Sequence, residues 1–190
     1  MIDRSERLDR LVAQYQREAE VCAEAGAYLA ACVMLGAALE GALVAMADLG
    51  ALRPDIEKSS QAVRDKNGDL VPPESWPFRK LLALAKELNW LPAKLPPDED
   101  IDLNEALERG DVGDFAEYVR EVRNLVHPGK YVREYPHVSI GDKHYADCYA
   151  VFELSIKHLK WRLGLWKVDV ARKRQKSLQK RQADVSWRED

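Results

Sequence analysis

From Ala25 to Ala47 the chain carries a single charged residue, Glu40, in twenty-three positions. Alanine and glycine dominate the run, and Leu, Val and Met are spread thinly through it. A helix that is apolar all round must be covered all round, by lipid or by other helices. The run is long enough to span a bilayer. It lacks the aromatic belt and basic flank that spanning helices carry at their ends. The expectation is therefore a helix at the centre of a bundle, over about Ala23 to Asp48, closing on Gly50.

The rest of the chain supplies a shell for it. Leu8, Leu11, Val12 and Tyr15 fall at helical spacing, which predicts a helix over Ser5 to Glu20. "PFRKLLALAKELNW" predicts another from Pro77 to about Asn89, with Phe78, Leu81, Leu82, Leu84 and Ala85 on one face. A fourth starts near Val112 and ends near His127, because Pro128 disfavours helix at the residue before it. A fifth runs from about Lys143 to Leu163 on Tyr145, Tyr149, Phe152, Ile156 and Leu159, with Asp142 placed to cap it. Two proline-rich connections separate these helices. In the first, "AVRDKNGDLV" can close a small hairpin on Asn67-Gly68. No stretch of strand period is long enough to build a sheet. The fold class is all-α, a bundle of about five helices in one domain over residues 1–163, with a basic tail over 164–190, helical or frayed.

Charge divides the chain in the same place. The net charge is -3, yet Lys160 to Asp190 holds ten Lys/Arg against four Asp/Glu. An acidic body with a basic tail is not the profile of a general nucleic-acid coat. Charge runs are mostly solvated. The alternative is that Lys173, Arg174 and Lys176, with their basic neighbours, bind RNA along its backbone. Cys22, Cys32 and Cys148 show no Cys-x-x-Cys spacing and no clustered histidine, so they read as reduced, apolar core residues of a cytoplasmic protein. The N-terminus is charged from its third residue and reads as no signal peptide. No zinc spacing, glycine-rich phosphate loop or Ser-His-Asp grouping is present, so neither metal nor cofactor is expected.

One short stretch carries chemistry. On a helical projection of "FAEYVREVRNLVH", at about 100° per residue, Arg120, Arg123, Asn124 and His127 gather into one stripe. Phe115, Tyr118, Val119, Val122, Leu125 and Val126 take the opposite arc. Glu117 and Glu121 fall to one side of the stripe, which is therefore cationic or titratable. His127, in the last turn, is favoured in its protonated form by the helix dipole. A carboxylate in an apolar helix is costly unless paired, so Glu40 is expected to meet Arg120 or Arg123. Such a pair is equally at home as a purely structural tie between two helices. His137, His144 and His158 are expected on loops or solvated faces, and the five tryptophans in packing.

Three segments together resemble the HEPN superfamily of all-α proteins: "AGAYLAACVMLGAALEGALVAM", "FRKLLALAKELNWL" and "VREVRNLVHPGKYVRE". The last is similar to that family's Arg-x(4–6)-His motif. Arg120 and His127 have six residues between them; Arg123 has three, which departs from the pattern and leaves two candidate arginines. The resemblance spans roughly residues 18–163. It implies a metal-independent endoribonuclease, of the kind that serves as a toxin or anti-phage effector. The composite site would lie between two copies of the chain, and an antitoxin or nucleotidyltransferase would act as partner. Arg120 and Arg123 would hold phosphate, His127 would move protons, and Asn124 and Glu40 would orient the site. The other reading the resemblance allows is a catalytically silent module that dimerises or binds RNA or protein.

Overall fold

A computed structural model of the chain describes residues 4–49, 52–91, 112–127, 129, 133 and 139–186. Among these the chain is helical, with no strand. Helix α1 spans Arg4–Glu24 and α2 spans Tyr28–Ala47. The sequence pattern sets the boundary between Glu20 and Ala23, too early, because the alanines from Ala23 on suit either helix. The break is a glycine stop. Gly26 sits at φ 73°, the Gly26 amide donates to Ala23 O at 2.9 Å and the Ala27 amide to Cys22 O at 2.8 Å. These two bonds take up carbonyls that the end of α1 would otherwise leave open.

Helix α2 is the bundle's axis. Ala31, Cys32, Leu35, Ala38, Leu39 and Leu43 are fully buried, and the helices over Arg4–Glu24, Phe78–Glu87, Val112–Asn124 and Asp142–Ser186 all pack on it. It is the one helix among the described residues long and apolar enough to cross a membrane; 56% of its apolar window is buried inside the protein. The covering expected from its composition is thus supplied largely by other helices.

A one-and-a-half-turn helix, α3 (Arg53–Lys58), follows. It is too short to leave a periodic pattern. The hairpin forms: Arg64 bridges Leu70, and Val71 N donates to Val63 O at 3.0 Å. Gly68 takes φ 87°, and Asp65 Oδ1 accepts from the amides of Asn67 and Asp69. Two ties order the connection, one to Glu87 of the next helix and one within the connection itself. Ser60 donates its amide and its hydroxyl to the Glu87 carboxylate, at 3.1 and 2.8 Å. The Trp76 indole donates to Val71 O at 2.8 Å. Helix α4 spans Phe78–Glu87 and buries the five residues its pattern predicts: Phe78, Leu81, Leu82, Leu84 and Ala85.

Helix α5 (Val112–Asn124) lies across α2, α4 and α6, with Ala116, Val119 and Val122 buried. Helix α6 (Asp142–Ser186) runs for 45 residues, so the basic tail continues the last helix. Asp142 Oδ1 accepts from the Lys143 amide, and the Gly141 amide donates to His144 Nδ1, a local role at the start of the helix. Two expectations are corrected on α6. His158 is buried, not solvated: it shares a face with Val151, Leu154, Ser155 and Leu159, and its lysine neighbours point elsewhere on the wheel. Trp161 is 61% exposed, not packed, whereas Trp76 and Trp90 are buried. His137 and Trp187, and the side chains of Trp166, Lys173, Arg174 and Lys176, lie outside the described part.

Candidate functional site

The centre of the site is one ion pair between α2 and α5. Arg123 Nη2 donates to Glu40 Oε2 at 2.8 Å, with both side chains about one-third exposed or less. The guanidinium also lies 5.9 Å from the centre of the Phe78 ring on α4, within cation–π range. Of the two arginines that could meet Glu40, it is Arg123 that does so. The reason is local. Gly36 stands one turn before Glu40 on α2, and a Cβ built there would lie 2.7 Å from Arg123 Cβ and 2.8 Å from Cγ. The missing side chain lets the stem of Arg123 lie on the α2 backbone and reach the carboxylate. Burial raises the pKa of Glu40 from 4.5, and the neighbouring Arg123 charge pulls the other way without cancelling it.

Arg120 is placed differently from its expectation. It stays on its own helix and donates to Glu117 Oε2 and to Glu121 Oε1. Burial opposes its charge, and the bonds to these two acids outweigh that and raise its pKa. The acids that the helical projection sets to one side therefore reach in and neutralise Arg120. A projection fixes only Cβ directions, and Glu and Arg are long enough to close that arc. The cationic stripe is divided: Arg123 turns to α2, and Arg120 turns back along α5.

The end of α5 also differs from the pattern. The helix closes at Asn124, and Leu125 and Val126 form a turn in which the His127 amide donates to Asn124 O at 3.1 Å. His127 is thus just past the helix, exposed to solvent, and not in its last turn. Asn124 is half-buried between it and Arg123. Val126 is 45% exposed and forms the edge of an open apolar concavity of about 530 Å³. Tyr28, Leu29, Val33 and Met34 of α2 and Ile140 complete its walls.

Two further groupings are not legible in the sequence. Cys32 on α2 and Cys148 on α6 are both buried, and their thiols interact. That interaction lowers the Cys32 pKa and raises that of Cys148. Burial raises the Tyr118 phenol of α5, to which the same thiols add. Separately, a cavity of about 370 Å³ opens between α1, α2 and α6, walled by Val12, Ala42, Ala45, Met46, Ile156 and Leu159. No group of three or more His, Cys, Asp or Glu among the described residues could hold a metal ion.

Compared with family models, with curated proteins and with solved structures, the chain matches none.

Proposed function

We propose that the chain is a HEPN-type, metal-independent endoribonuclease whose site forms around Arg123 and His127 where two copies meet. What supports this reading is the placement of a half-buried, anchored guanidinium four residues before a solvent-exposed imidazole. Glu40 occupies one edge of the Arg123 guanidinium. The group has five N–H donors, so the rest stay available to phosphate oxygens. Anchoring at one edge holds the fork in a fixed direction before substrate arrives, which lowers the ordering cost.

The reaction needs three things. A base removes the proton from the 2′-oxygen of the ribose, which then attacks the adjacent phosphorus. Cations hold the charge that grows on the non-bridging oxygens. As the bond from phosphorus to the 5′-oxygen breaks, an acid protonates that oxygen. The products are a 2′,3′-cyclic phosphate and a 5′-hydroxyl. Histidine serves as base or acid near neutrality. Arg123 serves the phosphoryl oxygens. One chain brings one such histidine, and a two-fold arrangement brings the second. The exposed apolar concavity beside Val126 is suited to bury against another copy.

Arg120 has a smaller part in this reading than its motif position implies, because two acids already hold it. That same pairing favours the second reading, a silent dimerising or RNA-binding module: both motif arginines carry a carboxylate partner in the free chain. Cleavage of RNA in EDTA, compared between wild type and His127→Ala, separates the two. The nuclease reading expects loss of cleavage in the variant. Equal rates would reject His127 as the proton-transfer group. RNA binding without cleavage by wild type would leave the silent module.

A further inference from the structure

We propose that the part of α6 beyond Leu163 is an arm that holds the phosphodiester backbone of a nucleic acid without reading its sequence. Helix α6 has 45 residues, whereas α1 has 21 and α2 has 20. At about 1.5 Å per residue, α6 is roughly 67 Å long and its neighbours about 30 Å. Asp9 of α1 and Leu49, just past α2, line the same cavity as Lys160 and Leu163, so the flanking helices reach their ends near that level of α6. No described helix is long enough to accompany the remainder.

The composition of that remainder selects its partner. Between Val170 and Ala183 there are six basic residues, Arg172, Lys173, Arg174, Lys176, Lys180 and Arg181, and no acid. Arg172, Lys176 and Lys180 recur every four positions, a spacing at which like charges on a helix repel. A polyanion would relieve that repulsion. Leu178 is the one large aliphatic residue in the stretch, which is too little for the broad apolar face that seats a helix in a membrane. Phosphate at regular spacing along a strand fits a rod of basic side chains, and it needs no base contact. The proposal stands whether or not the chain cuts RNA.

The test uses the full chain and a fluorescein-labelled 20-nucleotide strand of 2′-O-methyl RNA, which lacks the attacking hydroxyl. Binding is followed by anisotropy from 50 to 200 mM salt. If three to six basic residues meet phosphates, wild-type affinity falls roughly 20- to 300-fold over that range. Replacing the six residues by Gln should flatten this dependence and weaken binding at low salt at least tenfold. A variant that exchanges Lys for Arg and Arg for Lys at the six positions should keep both. Far-UV circular dichroism should show the same helicity in the Gln variant as in wild type, and DNA of the same length should behave alike. An unchanged salt slope in the Gln variant would overturn the proposal. So would an arm that binds vesicles of anionic phospholipid but no nucleic acid, or wild type that binds neither RNA nor DNA. Arm-dependent binding without any cleavage of ordinary RNA would uphold the arm and count against the nuclease reading alone.

Discussion

At the scale of residues, the site depends on an absence. Gly36 has no side chain, and Arg123 occupies the space where one would be. Gly36→Ala places a methyl 2.7 Å from Arg123 Cβ, a stem held by its own helix backbone, so α2 and α5 must separate. The expected cost is about 1–3 kcal/mol in urea unfolding, as for other overpacked contacts. A loss below about 0.3 kcal/mol would mean the two helices yield freely at that point. Glu40 makes a second prediction. Its pKa is raised in the fold above 4.5, so the folded state binds more protons than the unfolded one in the window above that value. Its contribution to stability is therefore fully present below pH 4.5 and is lost as pH rises through the raised value. Glu40→Gln should flatten that segment of the stability–pH profile, measured by urea unfolding at several pH values. The existence of a partner for Glu40 was legible in the sequence, since one carboxylate in an apolar helix requires one. Which arginine it is was not, because the choice depends on a glycine of one helix facing a side chain of another.

At the scale of elements, the periodic helices were readable and the punctuation was not. Helix α4 matches its pattern residue for residue because its apolar and polar positions alternate cleanly. The break between α1 and α2 is hidden in Ala25-Gly26-Ala27, where flanking alanines suit helix as well as turn. Gly26→Ala tests it. A Cβ there meets nothing within 4 Å, so any cost comes from the backbone at φ 73° alone. About 1 kcal/mol is expected in chemical unfolding, with no change in the Arg123–Glu40 region. The basic tail reads equally as helix or as frayed end because its sequence has no apolar stripe for periodicity to register. The lysine neighbours of His158 point to a solvated face, and the structure buries it. Its spacing from Val151, Leu154 and Ser155 was the better guide, since position on the wheel outranks adjacency.

At the scale of the molecule, an all-α bundle follows from the demand of α2 for cover. The nuclease reading adds a second demand, that the exposed histidine of one copy meet that of another. Val126 stands at the rim of the apolar concavity beside it, so Val126→Asp should leave the fold intact and shift sedimentation equilibrium toward monomer. RNA cleavage should fall with it by at least tenfold. A variant that remains dimeric would place the contact between copies elsewhere. The most direct test of the account is the chemistry of the cut ends. Incubated with single-stranded RNA in EDTA, the wild-type protein should yield 2′,3′-cyclic phosphate and 5′-hydroxyl ends by mass spectrometry. His127→Ala should lower their formation by about 10²–10⁴-fold. Cyclic ends formed at equal rates by both proteins, or no cleavage by either, would contradict it.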